Sequence, residues 1–143
     1  MASIRRSAEV SKPIDQVVGY LKDFTHAEQW DPGTEACTRL DSGPLGVGSS
    51  WHNTSKFLGR RVELIYRLER ALPDRLTFVG TNDAATSTDD LTFEPVGGGT
   101  RLTYHADIRL RGVARIADIA VYLALRAMAG EVMGRLRNLI NDL

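Results

Sequence analysis

The chain has 143 residues, of which 43% are hydrophobic and 25% are charged, and its eighteen basic residues balance its eighteen acidic ones. A chain of this length usually forms one domain with its own core, so we predict a single domain over residues 1–143. The neutral balance lacks the basic excess of a nucleic-acid-binding protein. The longest apolar run, Ile119–Leu125, is far short of the roughly 20 residues that a membrane span needs. We therefore expect neither a nucleic-acid partner nor a membrane span.

Cysteine content and the first residues bear on the cellular compartment. Cys37 is the only cysteine, which excludes an internal disulfide and fits a reducing environment. The segment 1–7 contains two consecutive arginines, but no apolar stretch follows them, so it does not have the form of a signal peptide. These features predict a cytoplasmic location.

The first elements predicted along the chain are a strand and a helix. Alternation over residues 3–10 indicates a strand, and Arg6 stands on its otherwise apolar face. Ser11 is suited to cap the following helix, and Pro13 fits its first turn. Residues 26–30 are predicted to continue as a short second turn, which an Asp-Pro-Gly sequence ends.

Further segments alternate between apolar and polar residues and are separated by turn residues, among them Gly97–Gly99. Because the turns are short, the strands are expected to pair antiparallel with their chain neighbours. The predicted strands are 34–41, 47–58, 61–71, 76–80, 87–93 and 101–110. Their alternation predicts these inward-facing side chains: Trp51, Asn53, Tyr66, Phe78, Asp89, Phe93 and Tyr104.

The end of the chain, from Val113 to Leu143, contains no proline and predicts one long helix. Up to Met128 this helix is apolar on nearly every side, so its first half must be covered by other elements or must bind something. Gly130 and Gly134 indicate either a close approach by a strand or ligand, or simple tolerance of glycine. The stripe assigned to the cavity in the first half of the helix contains Ala120, Leu123 and Ala127. The whole pattern predicts an α+β fold in which a curved antiparallel sheet of six or seven strands wraps around the helix and leaves a pocket for an apolar molecule.

Several short strings in this order also resemble a known family. They are Ser11–Pro13, Tyr20–Asp23 followed by Trp30–Pro32, Pro44–Gly48 before Trp51, and Gly98–Thr103 followed by Ala106–Asp107. Together they resemble the SRPBCC superfamily, which has the START-like, helix-grip fold, and within it the polyketide cyclase/dehydrase and lipid transport group. The resemblance covers essentially the whole chain and implies a ligand cavity between sheet and helix. It carries over no catalytic residue, because the superfamily includes carriers, cyclases, hormone receptors and chaperone-associated modules.

Two charged residues share the inward face and are the candidates for chemistry. Asp89 and Arg6 would place one acid and one guanidinium in the pocket, where they could anchor a carboxylate-bearing or phenolic ligand or polarise a ketone. The alternative is that both lie at the rim and are hydrated. Trp30 is a further candidate, either as part of the pocket or as a plug between the first helix and the sheet. The complete set of predicted ligand-binding residues is Trp30, Trp51, Asn53, Tyr66, Phe78, Asp89, Phe93, Tyr104, Ala120, Leu123 and Ala127.

The histidines do not form a metal-binding pattern. His26, His52 and His105 lie on different predicted elements, and Cys37 stands alone, so we predict no metal site and no cofactor. His52 is out of phase with Trp51 and is expected to face solvent.

Three functions remain open from the sequence. The first is a binder or carrier of a small hydrophobic, lipid-like or polyketide-like molecule. The second is a polyketide cyclase or dehydratase in which Asp89, Arg6 or a tyrosine moves protons. The third is a protein-interaction module, or a homodimer, that uses the apolar helix face.

Overall fold

Seven strands, three α-helices and two 3₁₀ helices make up the structure, a computed structural model that describes residues 1–143. The strands are β1 (Ala2–Val10), β2 (Thr34–Arg39), β3 (Ser50–Phe57), β4 (Arg60–Leu72), β5 (Arg75–Thr81), β6 (Ala85–Val96) and β7 (Gly99–Leu110). The α-helices are α1 (Ile14–Leu21), α2 (Ala27–Trp30) and α3 (Asp118–Asn141), and the 3₁₀ helices are Phe24–His26 and Gly112–Ala117.

All seven strands form one antiparallel sheet in the order β1-β7-β6-β5-β4-β3-β2. Strands β2 to β7 follow each other as a meander, and β1 closes the order by pairing with β7. Gly97 and Gly98 both have positive φ, at 53° and 88°, and this backbone makes the two-residue hairpin turn between β6 and β7. With α3 packed against β1, β7 and α2, the predicted α+β helix-grip fold is confirmed.

The predicted alternation of the strands is correct. The inward-facing residues proposed from the sequence are buried on one face of the sheet, whereas their chain neighbours are half-buried or exposed. They are Trp51, Asn53, Tyr66, Phe78, Asp89 and Phe93, with Tyr104 half-buried beside them. Because side chains alternate with a period of two, a correct phase at one residue fixes the whole face of a strand.

One half of this face is filled by a solid core. Phe24 packs against Tyr66 and Phe78 with ring centroids 4.5 and 4.6 Å apart. From the C-terminal half of α3, Leu136 and Ile140 are fully buried in the same cluster. The first helical segments and the end of α3 therefore close this half of the sheet.

Ser11 has a different role from the predicted one. The N-cap position of α1 is Pro13, and no side chain caps that helix. Instead, the backbone N–H and the hydroxyl of Ser11 donate to Asn141 Oδ1 at 2.8 and 3.0 Å. Ser11 therefore ties the start of α1 to the end of α3, a contact between residues too distant in sequence to be predicted locally.

The first half of α3 presents a different face to the sheet from the predicted one. Val121 and Ala129 are buried, while Ala120, Leu123 and Ala127 are exposed. The assigned stripe was therefore wrong, because only one narrow polar sector interrupts this apolar segment, and several apolar faces could pack against the sheet. Gly130 and Gly134 also face solvent, with nothing within 4 Å of an added Cβ, so no strand approaches them closely.

No helix of the structure is both long enough and apolar enough to cross a lipid bilayer.

Candidate functional site

A cavity of about 290 Å³ lies between the concave face of the sheet and the first half of α3. Of the 24 residues that line it, 18 are hydrophobic. The helix contributes Val121, Leu125, Met128, Ala129, Val132 and Met133. The cavity is therefore an apolar space with a few polar groups, which is the usual composition of a small-molecule site.

The space remains open because small side chains occupy several lining positions. Ala84, Ala85, Ala106 and Ala129 all line the cavity, on the sheet side and on the helix side. Ala106 pairs with Asp89 across β6 and β7, so the side chain directly opposite Asp89 on β7 is only a methyl group. The sequence therefore leaves the volume unfilled at the point where the sheet carries its buried acid.

Asp89 is the buried acid of the cavity, and Tyr104 is its partner. The Tyr104 hydroxyl donates to Asp89 Oδ2 at 2.8 Å. Burial raises the pKa of Asp89 to about 7, the Tyr104 hydrogen bond opposes that rise, and the nearby Asp31 adds to it. Burial also raises the pKa of Tyr104 well above its usual value. Asp89 therefore changes its protonation state near neutral pH, while Tyr104 stays protonated.

Tyr66 forms a second polar pair with Ser87. Its hydroxyl donates to Ser87 Oγ at 3.1 Å, and burial raises its pKa well above the usual value. Gly80 lies between the two in the sheet, paired with Tyr66 on one side and with Ser87 on the other. Tyr66 therefore reaches across the intervening strand β5 to contact β6.

A second acid, Asp31, lines the cavity from the end of α2. Its carboxylate accepts hydrogen bonds from the Gly33 N–H and the Thr34 hydroxyl, both at 2.9 Å. Burial raises the pKa of Asp31, and these two hydrogen bonds lower it again in part. Sequence reasoning treated Asp31 only as a turn residue. The available signal was its position next to Trp30, which also lines the cavity.

The acid–guanidinium pair expected from the sequence does not form. Arg6 lines the cavity but is exposed, and its Nη1 donates to the backbone oxygen of Arg5 at 2.8 Å. Asp89, in contrast, is buried and bonded to Tyr104. Arg6 therefore lies exposed at the rim, as the alternative predicted, whereas Asp89 does not.

The remaining predicted residues separate into three groups. Trp30, Tyr66, Asp89 and Tyr104 line the cavity, and Trp30 makes an edge contact with Tyr104 at a centroid distance of 5.8 Å. The following residues are buried outside the cavity lining: Trp51, Asn53, Phe78 and Phe93. Ala120, Leu123 and Ala127 lie on the exposed face of α3 and do not line the cavity. Sequence reasoning missed the helix residues that do, because it placed the stripe on the wrong side.

Histidine and cysteine take no part in the cavity. His52 lies on the outer face with Nε2 3.1 Å from Glu63, as predicted for a surface residue. Burial raises the pKa of the Cys37 thiol to about 12, so it stays protonated and is a poor nucleophile. No group of three or more His, Cys, Asp or Glu side chains is placed to hold a metal ion.

Three solved structures have the same fold. The protein TTHA0849 from Thermus thermophilus gives a TM-score of 0.80 at 15% identity, covering 96% of this chain and 96% of that one. A START superfamily protein from Mycobacterium smegmatis gives 0.73 at 16% identity, with 97% and 99% covered. The Zhui aromatase/cyclase from Streptomyces sp. R1128 gives 0.80 at 12% identity, with 96% and 92% covered. At these identities the similarity shows a shared fold and says nothing about the ligand.

The sequence itself identifies the family. No curated protein matches the chain, but residues 1–142 match the family described as polyketide cyclase / dehydrase and lipid transport. This match confirms the family resemblance that the short strings between Ser11 and Asp107 indicate. The chain therefore belongs to the polyketide cyclase / dehydrase and lipid transport family.

Proposed function

We propose that the protein binds a small hydrophobic, lipid-like or polyketide-like molecule in the cavity under α3 and acts as a binder or carrier. The observation that carries the proposal is the cavity of about 290 Å³, three quarters of whose lining residues are hydrophobic. Burying apolar surface there stabilises a complex by roughly 25 cal/mol per Å² before the cost of association is subtracted. The volume lies at the lower end of the roughly 300–1,000 Å³ typical of ligand pockets, which favours one compact or single-chain molecule.

A second candidate function is a cyclase or dehydratase acting on a polyketide-like substrate. The observation that favours it is the Asp89–Tyr104 pair, whose acid has a pKa of about 7 and lies inside the cavity. A general acid or base works best with a pKa near the working pH. However, no histidine, lysine or buried arginine lines the cavity to stabilise an oxyanion. We therefore rank the carrier first.

Nile red, a neutral dye that fluoresces in apolar surroundings, tests the proposed function directly. The wild-type protein should bind it, and extraction of the purified protein with solvent should release a molecule detectable by mass spectrometry. A bound ligand should also raise the melting temperature, because it stabilises only the folded state. No dye binding and no extractable ligand would argue against a small-molecule host.

Two alanines of α3 offer a matched pair of variants. Ala129 lines the cavity, whereas Ala127, on the same helix, faces solvent. Ala129→Phe should fill the cavity and weaken dye binding by about tenfold or more, while Ala127→Phe should leave it unchanged. Circular dichroism of both variants checks that each is folded. Equal dye binding by the two variants would place the binding site elsewhere.

The other expectations remain proposals. An exposed apolar surface, formed by Val113, Ile116, Ile119 and Leu123, is the face that a homodimer or a protein partner would use. Sedimentation velocity at several protein concentrations tests the homodimer. The absence of a nucleic-acid partner rests on the neutral charge, and the cytoplasmic location rests on the single cysteine.

A further inference from the structure

Resting on the proposed binding function, we infer that the ligand carries a hydrogen-bond donor, an O–H or N–H group, which it presents to Asp89, and that it is not a carboxylate. This assigns a chemical class to the ligand and a contact atom to the protein. Three features support it: the free oxygen of Asp89, the distribution of charge around the cavity, and the unused hydroxyl of Ser87.

Asp89 has one carboxyl oxygen available to a ligand. Oδ2 accepts the hydrogen bond from Tyr104, while Oδ1 makes no hydrogen bond with the protein. Oδ1 is also not one of the unpartnered atoms that are sealed inside the molecule, which are Trp51 Nε1, Asp107 Oδ1 and Asp118 Oδ1. Because Asp89 is a buried residue that lines the cavity, the space that Oδ1 faces is the cavity. A donor placed there would satisfy a polar atom that is otherwise costly to leave unpaired.

The charges around the cavity favour a donor and oppose an anion. Asp31 and Asp89 are the two acids in the lining, and the proximity of Asp31 contributes to the raised pKa of Asp89. The only basic residue in the lining is Arg6, which is exposed and bonded to Arg5. When Asp89 is ionised, a ligand carboxylate beside it would meet like charge in an apolar space with no buried cation to offset it.

Ser87 supplies the second half of the recognition. Tyr66 donates to Ser87 Oγ, so the Ser87 hydroxyl hydrogen is left without an acceptor in the protein. Ser87 and Asp89 are two residues apart on β6 and therefore share the inward face. A ligand hydroxyl has both a hydrogen to donate to Asp89 and lone pairs to accept from Ser87, whereas an ammonium group can only donate. Alcohols and amines are thus the two sources of the same donor chemistry.

Three probes with one chain length separate these cases: decanol, decylamine and decanoate. At pH 8 each is titrated against the wild-type protein by displacement of Nile red, below the concentration at which the probe aggregates. Decanol or decylamine should displace the dye at a concentration about tenfold or more below that of decanoate, since a hydrogen bond to a charged group contributes about 1.5–3 kcal/mol. Tighter binding of decanol identifies the hydroxyl as the source, and tighter binding of decylamine identifies the amine.

Two variants assign the effect to Asp89. Asp89→Asn removes the charge and keeps the shape, so decylamine should bind about tenfold more weakly while decanoate should bind more tightly. These opposite changes are not expected from a general loss of structure. Asp90→Asn is the matched control, because Asp90 lies on the same strand but on the other face, paired with Arg75 at 2.7 Å; it should change neither affinity.

The outcomes distinguish the donor preference from the binding function. If Nile red binds but decanoate displaces it as readily as the other two probes, the inference about the donor is overturned and the binding function stands. If neither the dye nor any probe binds, the binding function fails and the inference fails with it. Unchanged affinities in Asp89→Asn would also overturn the inference, whatever the wild-type preference.

Discussion

The hydroxyl end of the Tyr66 ring lies directly over Gly80. A Cβ atom added at Gly80 would come within 2.7 Å of Tyr66 Cζ, closer than such contacts occur in proteins. Glycine is therefore required here by a neighbouring side chain and not by its backbone conformation. The close approach lets Tyr66 cross β5 and donate its hydrogen bond to Ser87 on β6, which fixes one side of the cavity.

This contact predicts the effect of Gly80→Ala. The added methyl group must displace the Tyr66 ring, so we expect the free energy of unfolding to fall by about 1–3 kcal/mol, the usual range for overpacking. Urea unfolding measures the change. The control is the same substitution in a Tyr66→Leu background, where most of the loss should disappear because the two side chains no longer meet. An equal loss in both backgrounds would contradict the assignment to the ring.

The two glycines of α3 predict the opposite result. Gly130 and Gly134 are exposed, lie inside the helix and have open space where a Cβ would be. Alanine loses less backbone entropy than glycine when a helix forms, so each Gly→Ala substitution should raise the free energy of unfolding by about 0.5–1 kcal/mol. A thermal melt of each single variant measures this. A loss of stability would indicate that some partner approaches this face of the helix.

Strand elements were predictable because their signal is local. A period of two over residues such as Leu64, Tyr66 and Leu68 fixes both the element and its inward face, and short turns fix the antiparallel order. The Asp31 carboxyl group was missed because its place in the cavity depends on how α2 packs against α3, which no local pattern records. The side of α3 that faces the sheet was missed for a related reason. Its first half is apolar on nearly every side, and only the packed sheet decides which apolar side is covered.

Two leucines of α3 test which side of the helix packs against the sheet. Leu136 is fully buried, with 0% exposure, whereas Leu123 is 56% exposed. Leu136→Ala should lower the free energy of unfolding by about 2–5 kcal/mol, because it leaves a cavity in the core. Leu123→Ala should change it by less than about 0.5 kcal/mol. Chemical unfolding of both variants, at one protein concentration, makes the comparison; a large loss for Leu123→Ala would mean that this face is covered by a partner in solution.

The pKa of Asp89 predicts how stability depends on pH. In the folded protein burial raises the pKa of Asp89 to about 7, whereas an aspartate in the unfolded chain titrates near about 3.9. Between these values the folded state keeps a proton that the unfolded state has released, so the free energy of unfolding falls as pH rises through this window and levels off above it. An asparagine side chain cannot ionise, so the Asp89→Asn variant lacks this loss.

The measurable quantity is the difference in unfolding free energy between Asp89→Asn and the wild type, determined by urea unfolding from pH 4 to pH 9. It should shift in favour of the variant by up to about 1.4 kcal/mol per pH unit between about pH 4 and pH 7, and then stay constant. Asp31, whose pKa is also raised, is present in both proteins, so its contribution largely cancels in the difference.

Asp90→Asn is again the control. Partial burial raises the pKa of Asp90, but the hydrogen bonds that its carboxylate accepts from Arg75 and Thr77 outweigh this effect and lower the pKa. Its loss should therefore destabilise the protein above about pH 4, the opposite sign. Parallel pH curves for Asp89→Asn and the wild type would show that Asp89 is ionised in the folded protein throughout this range, and the cavity would then hold a permanent negative charge.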